Sequence, residues 1–273
     1  MQGKRSPLIQ AINDLLEIMA QLRNKETGCP WDLKQTWQSL LPYTLEEVYE
    51  VADAVDRQDA PALCDELGDL LLQIVFMSQI AQEQGLFSFQ DVVHAISQKM
   101  LRRHPHVFAD TNYASIEEQK QGWEAIKQAE RAAKSTETNN SFFADIPLSL
   151  TALQRSEKLQ KRAARVGFDW QTWQQVVPKI QEELAEVVEA VEQQQGQARI
   201  QEEIGDLLFA VTNLARFLHV NSENSLRLAN HKFEKRFLQM QGYLLAQGLT
   251  LEQCDLAQME EAWLAVKQLE KNT

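Results

Sequence analysis

Glu66-Leu67-Gly68-Asp69-Leu70-Leu71-Leu72-Gln73-Ile74-Val75 is the stretch on which the fold turns. Its apolar residues Leu67, Leu70, Leu71, Ile74 and Val75 recur at steps of three and four, which lines one face of an α-helix and does not fit the alternation of a strand. Glu66 and Asp69, three apart, project from one side of that helix. The stretch returns in the second half of the chain as Glu203-Ile204-Gly205-Asp206-Leu207-Leu208-Phe209. Upstream of each copy lies a second acidic pair, Glu47-Val48-Tyr49-Glu50 in the first half and Glu183-Leu184-Ala185-Glu186 in the second. Each half of the chain therefore carries E-x-x-E, a connecting stretch, then E-x-x-D.

The repeat extends beyond the acids. Gln35-Thr36-Trp37-Gln38 recurs as Gln171-Thr172-Trp173-Gln174, and Pro42 as Pro178, in step with the first acidic pair. Lys99-Met100-Leu101-Arg102-Arg103 matches Lys232-Phe233-Glu234-Lys235-Arg236 at a slightly shorter offset, and Trp123-Glu124-Ala125-Ile126-Lys127 matches Trp263-Leu264-Ala265-Val266-Lys267 at a slightly longer one. Matches in the same order at nearly constant offset indicate tandem domains from a duplication; solenoid repeats have periods of roughly 20–50 residues and are excluded. The expected division is an N-terminal helical domain over 1–134, a linker over 135–145 and a C-terminal helical domain over 146–273. Residues 134–141 are polar and aperiodic, as a linker should be, and Phe142 and Phe143 are placed to dock it.

Helices are expected near 8–22, 43–57, 61–84, 89–103 and 115–134, then near 147–165, 174–194, 197–219, 223–244 and 251–271. Pro42 and Pro178 suit the first turn of a helix, where a missing N–H costs little. Gly85 and Gly196 suit helix ends. Only 10 glycines and 7 prolines among 273 residues favour long helices over turn-rich β architecture. No run of alternating β-branched residues stands out, so the fold is expected to be all-α, with four to five helices in each duplicated domain.

A hydrophobic fraction of 44% and a charged fraction of 24% are ordinary for a soluble globular chain. The net charge of −12 argues against a general nucleic-acid binder, which needs a basic face. Cys29, Cys64 and Cys254 are odd in number and form no C-x-x-C, so neither a disulfide framework nor a zinc knuckle is indicated. Asn13, Asp14 and Glu17 interrupt the N-terminal stretch where a signal peptide would need an apolar core, and the run 70–77 is too short to span a bilayer. A cytoplasmic location without membrane contact is expected.

Four carboxylates on two packed helices repel one another: a like-charge pair at about 4 Å costs on the order of 4 kcal/mol at an effective dielectric of 20. A cation between them removes that cost. The quartets Glu47, Glu50, Glu66, Asp69 and Glu183, Glu186, Glu203, Asp206 are therefore candidate metal sites. Oxygen donors without histidine or thiolate favour Mg²⁺ or Mn²⁺ over zinc. A di-iron carboxylate bundle needs Glu-x-x-His motifs, and none of His94, His104, His106, His219 and His231 lies three after a quartet acid.

A single E-x-x-E in an acidic chain is ordinarily a solvated helix face. Thr44-Leu45-Glu46-Glu47 also fits a capping box, yet Ile180 stands where Thr44 does and the glutamate is still present, so capping does not explain both halves.

Downstream cations come in pairs that share a helix face, Lys99 with Arg103 and Lys232 with Arg236. Arg199, one turn before Glu203, puts a cation on the second quartet's helix, where the first half has Ala62. Trp263 and Lys267 share a face near the C-terminus; a tryptophan there is either core or a surface on which a nucleobase stacks. No G-x-x-x-x-G-K-[ST], G-x-G-x-x-G or G-x-S-x-G occurs, which argues against P-loop, Rossmann and α/β-hydrolase chemistry.

Taken with Gly28-Cys29-Pro30-Trp31-Asp32, Arg102-Arg103-His104-Pro105-His106-Val107-Phe108 and Arg165-Val166-Gly167-Phe168-Asp169-Trp170, these motifs closely resemble the MazG family of all-α nucleoside triphosphate pyrophosphohydrolases over essentially the whole chain. The resemblance implies a homodimer, dependence on Mg²⁺, and hydrolysis of NTP or dNTP to monophosphate and pyrophosphate. By position it places the catalytic metal ligands on Glu183, Glu186, Glu203 and Asp206, and triphosphate binding on Arg199, Lys232, Arg236, Trp263 and Lys267. Arg199 stands where the family's pattern has lysine, which keeps the charge and changes its geometry. The implied mechanism has Mg²⁺ clamping the triphosphate while a carboxylate takes the proton of the attacking water. Because only the second half has the Arg199 cation, the C-terminal domain is expected to be the more active. Alternatives are a non-catalytic nucleotide-binding or dimerisation role for one or both domains, or a narrower pyrophosphohydrolase acting on dUTP or phosphoribosyl-ATP.

Overall fold

The computed structural model describes residues 6–134 and 141–271. The chain divides into two compact units, Met1–Lys134 and Ser135–Thr273. Among the described residues there are twelve α-helices and two 3-10 turns, with no strand, which agrees with the all-α expectation. None of these helices is long and apolar enough to cross a membrane.

The first unit contains α1 (Pro7–Leu22), α2 (Pro30–Lys34), α3 (Trp37–Arg57), α4 (Ala60–Glu83), α5 (Phe89–Arg103), α6 (Pro105–Phe108) and α7 (Ile116–Lys134). Its centre is the α3–α4 hairpin, whose helices pack along each other. Only Gln58 and Asp59 join them: Gln58 turns the chain in the left-handed region at φ 54°, and Asp59 caps α4 by accepting from the Ala62 amide at 3.1 Å. A link that short makes the two helices antiparallel. Met19, Leu40, Val75, Phe76 and Ile80 form the buried core, flanked by Leu15, Leu16, Trp37 and Leu72. The Trp37 indole N–H donates to the Met77 carbonyl at 3.0 Å, which satisfies its polar edge inside that core.

The second unit contains α8 (Ala152–Ala164), a 3-10 turn (Trp173–Gln175), α9 (Val176–Glu192), α10 (Gln197–Phe217), α11 (Ser222–Ala246), a second 3-10 turn (Leu251–Gln253) and α12 (Leu256–Lys271). Here α9 and α10 form the hairpin, and α8 lies against α10, where Gln160 donates to the Phe209 carbonyl at 2.9 Å. Met240, Leu244, Ala262 and Val266 close a second core between α11 and α12.

Several local expectations are corrected. Pro42 lies inside α3, because the helix starts earlier, at Trp37, where Thr36 and Ser39 form a reciprocal capping box. Thr44 is consequently mid-helix, its hydroxyl bonded back to the Leu40 carbonyl at 3.0 Å, and it caps nothing. Pro178, by contrast, does sit in the first turn of α9, which follows directly on a 3-10 turn. Gly196 begins α10 as its N-cap, at φ 93°, where it also ends the turn after α9.

Helix α12 starts at Leu256, since Thr250 caps a separate 3-10 turn and Cys254 is extended. Helix α8 starts at Ala152 because residues 142–150 form turns. Phe142 and Phe143 meet edge to face at 4.9 Å, and Arg162 anchors this segment by donating to the Phe142 carbonyl at 2.9 Å and to Asp145 at 2.7 Å. Residues 135–140 of the expected linker lie outside the described residues.

Candidate functional site

The hairpin of the second unit carries Glu183 and Glu186 on α9 and Glu203 and Asp206 on α10. Antiparallel packing brings the two pairs face to face. One carboxylate oxygen from each of Glu183, Glu203 and Asp206 lies within 4.8 Å of the other two. Glu203 is 1% exposed and Glu183 5%, while Asp206 is exposed. Glu186 is outside this tightest group, but burial first, then the charges of Glu203 and Glu183, raises its carboxyl pKa.

Two cations face the group. Lys179, one turn before Glu183, donates to Glu183 at 2.8 Å and to Glu182 at 2.9 Å, and those bonds raise its ammonium pKa. Arg199 pairs with Glu203 and, at 2.8 Å, with Glu202. Even so, the second oxygen of Glu203 is buried with no hydrogen-bond partner. A buried carboxylate oxygen left unpaired is costly. Three carboxylates brought together with a buried oxygen left unpaired form an all-oxygen donor set that fits a hard divalent ion.

The first unit repeats the arrangement on α3 and α4. Oxygens of Glu47, Glu66 and Asp69 converge within the same 4.8 Å, with Glu47 and Glu66 half-buried and Asp69 exposed. Partial burial first, then Asp69, Glu50 and Glu66, raises the Glu47 carboxyl pKa. Partial burial first, then the neighbouring Glu50 carboxylate and Asp69, raise that of Glu66. The positions equivalent to Lys179 and Arg199 are Tyr43 and Ala62, so this quartet has neither cation.

The raised carboxyls have a consequence for stability. Glu47, Glu66 and Glu186 bind a proton more tightly in the folded chain than in the unfolded one. Their ionisation therefore destabilises the fold as pH rises through their values, and stability returns as pH falls. Glu83 and Glu130 act in the opposite sense. Hydrogen bonds from Arg23 and Arg103 lower their pKa, so their contribution is present at neutral pH and is lost only in acid. In EDTA the melting temperature is expected to rise between pH 7 and about 5, above the ordinary carboxylate value of about 4.3, and to fall in stronger acid. A melting temperature that drops steadily from pH 7 downward contradicts this.

The remaining candidates gather on α11 and α12. Arg236 donates from Nε to Glu270 at 2.8 Å, and Phe233 packs on Trp263 with ring centroids 5.5 Å apart. Trp263 thereby also belongs to the α11–α12 core. Lys232 is exposed and Lys267 half-buried. Arg199 is thus brought to the quartet. Among the described residues, no hydrogen bond or ion pair joins Lys232, Arg236, Trp263 or Lys267 to it.

The equivalent residues of the first unit are paired locally. Arg103 bonds Glu130, and the Lys127 ammonium lies 4.7 Å from the Trp123 ring centroid and 2.8 Å from Glu124. Lys179 and Glu270 were not identified from the sequence. The first was visible as a lysine one turn before a quartet glutamate. The second was visible as the counterpart of Glu130, since it follows Lys267 as Glu130 follows Lys127.

The chain matches the family described as MazG nucleotide pyrophosphohydrolase domain twice, over residues 35–108 and 171–239. Each match contains one acidic hairpin. The nucleoside triphosphate pyrophosphohydrolase of Escherichia coli (strain K12) is 51% identical over 260 residues, covering 95% of this chain and 98% of that protein. The nucleoside triphosphate pyrophosphohydrolase/pyrophosphatase MazG of Thermotoga maritima is 41% identical over 254 residues, covering 93% and 94%. A crystal structure of a mazG-related protein from Thermotoga maritima aligns with 42% of this chain and 98% of that one, at 30% identity and a TM-score of 0.37. The doubled domain match and near full-length similarity together place this chain in the MazG nucleotide pyrophosphohydrolase family.

Proposed function

We propose that this protein hydrolyses nucleoside triphosphates, NTP and dNTP, to nucleoside monophosphate and pyrophosphate, with Mg²⁺ (or Mn²⁺) held by Glu183, Glu186, Glu203 and Asp206. The observation that carries the reading is the convergence of the Glu183, Glu203 and Asp206 carboxylates, together with a buried Glu203 oxygen that has no hydrogen-bond partner among the described residues. When bound, the ion would supply charge neutralisation and Lewis-acid polarisation of a phosphoryl oxygen. The chain's own residues do the rest. A carboxylate of the group takes a proton from the attacking water. Arg199, Lys232, Arg236 and Lys267 offset charge on the phosphates, and Trp263 offers a ring for the base.

In this reading the domains are 1–134 and 146–273, joined by 135–145, and the second is the more active. Lys179 and Arg199 support that asymmetry, because the first domain has Tyr43 and Ala62 in their places. The same replacements favour a second reading for the N-terminal domain, in which it binds metal or partner without turnover. A cytoplasmic nucleotide pool fits as the substrate source, and the charge of −12 fits a protein that takes nucleotides and not nucleic acids.

The reading also includes a homodimer. Leu184, Val188 and Val191 on α9 and Ile204, Leu208 and Val211 on α10 are all exposed, at i, i+4 and i+7 spacing. Leu67, Leu71 and Ile74 repeat the stripe on α4. Such a seam on a helical hairpin is what a second hairpin covers in a four-helix bundle.

Pyrophosphate release over a panel of NTPs and dNTPs, with dUTP and phosphoribosyl-ATP included, tests the activity. Release from several bases is the expected result. Release from dUTP alone or phosphoribosyl-ATP alone replaces it with the narrower enzyme, and no release from any substrate leaves a binding module.

A further inference from the structure

Arg236 on α11 and Glu270 on α12 meet at 2.8 Å through a single hydrogen bond, from the guanidinium Nε–H to Glu270 Oε2. Their side chains are 23% and 28% exposed, so the pair is sheltered but open on one side. The Nη1 and Nη2 groups of Arg236 make no hydrogen bond to another described residue. A guanidinium is planar and rigid, so a bond at Nε fixes the plane and the direction in which the two Nη groups point. Those two groups are the fork that grips a phosphate with two parallel bonds.

The duplication supplies an internal comparison. In the first unit the equivalent pair is Arg103 and Glu130: Arg103 closes the basic block as Arg236 does, and Glu130 follows Lys127 as Glu270 follows Lys267. There Glu130 takes both Nε, at 3.0 Å, and Nη2, at 2.6 Å, of Arg103. Arg102 adds bonds of 3.4 and 3.3 Å to the other carboxylate oxygen. The Arg103 fork is therefore partly consumed by its own domain. The residue equivalent to Arg102 in the second unit is Lys235, which is exposed and makes no ion pair with Glu270 among the described residues. One pair of positions thus builds a closed clamp in the first half and an open one in the second.

We propose that Glu270 is a positioning residue that holds Arg236 by Nε so that its Nη fork is presented to the phosphates of the substrate. The proposal rests on the nucleotide-hydrolysing reading above. It assigns Glu270 no contact with substrate. Its role is to order, before binding, a long side chain that otherwise has to be ordered by the ligand, and that cost appears in binding more than in the chemical step.

Steady-state kinetics of the full chain with a nucleoside triphosphate and Mg²⁺ test this through Glu270→Ala, Glu270→Gln, Arg236→Ala and the Glu270→Ala/Arg236→Ala double variant. Glu270→Ala is expected to raise KM about tenfold while changing kcat less than about threefold, the signature of lost uniform binding. Glu270→Gln keeps an oxygen acceptor for Nε and is expected to stay within about threefold of the parent KM, which separates positioning from charge. In the Arg236→Ala background, Glu270→Ala is expected to add nothing, since the two act as one unit. An unchanged or lowered KM in Glu270→Ala overturns the proposal and makes the contact a latch or a purely structural bond. So does an equal rise with and without Arg236. If Arg236→Ala alone leaves KM and kcat unchanged, the placement of Arg236 at the triphosphate is what fails, and the proposal falls with it.

Discussion

Glu203→Gln is expected to reduce pyrophosphate release from a nucleoside triphosphate by about 10²–10³-fold or more, the scale on which losing one preorganised electrostatic partner slows a reaction. Glu66→Gln, at the equivalent position of the first unit, is expected to leave most of the turnover intact. The reason lies in the environments. Glu203 is 1% exposed, sits within 4.8 Å of Glu183 and Asp206, and keeps one oxygen without a protein partner. A glutamine there keeps the volume but removes the charge that makes the oxygen a strong ligand for a hard cation. Glu66 is half-buried, lies beside the Glu50 carboxylate, and has Ala62 where the second unit has Arg199. The fold is expected to survive both variants, because glutamine keeps the volume, each carboxylate group loses one like charge, and Arg199 retains Glu202 as a partner. Loss of turnover in Glu66→Gln with Glu203→Gln unaffected overturns the assignment of activity to the second domain.

The second large effect concerns assembly. Leu208→Glu is expected to convert the proposed dimer to monomers, raising its dissociation constant by about 10²-fold or more, as read by sedimentation. Leu208 is 52% exposed and lies in the middle of the apolar stripe shared by α9 and α10. In a two-fold assembly each substitution occurs twice, and burying an unpaired carboxylate costs on the order of several kcal/mol per ion. The same side chain reaches solvent in the single chain, so the circular dichroism of the helices should hardly change. A Leu208→Glu protein that remains dimeric removes this face from the interface. The equivalent Leu71→Glu tests the first hairpin in the same way.

Much of the architecture was legible because helix periodicity is local. The steps among Leu67, Leu70, Leu71, Ile74 and Val75 fixed α4, and α5 runs from Phe89 to Arg103 as the pattern of 89–103 requires. The duplication was legible for the same reason, since offsets survive where packing is repeated. What failed was local competition. Pro42 looked like a helix start, but the Thr36–Ser39 capping box lies earlier and its two bonds set the boundary instead.

The quartets were readable as pairs on two helices, because three-residue spacing fixes each pair's direction. Which three of the four carboxylates converge was not readable, since it depends on how α9 and α10 rotate against each other. Glu270 was missed for a related reason. Its partner Arg236 is on another helix, and the one sequence hint, its place three after Lys267 as Glu130 stands three after Lys127, gains meaning only once packing pairs each acid with an arginine.

If a divalent cation at the acidic hairpin drives the cleavage, no nucleoside triphosphate is split to monophosphate and pyrophosphate without one. Product analysis of the unmodified protein with one NTP, in Mg²⁺ and in excess EDTA, decides this. Equimolar nucleoside monophosphate and pyrophosphate are expected in Mg²⁺, and neither product in EDTA. Nucleoside diphosphate with inorganic phosphate, or release that continues undiminished in EDTA, contradicts it.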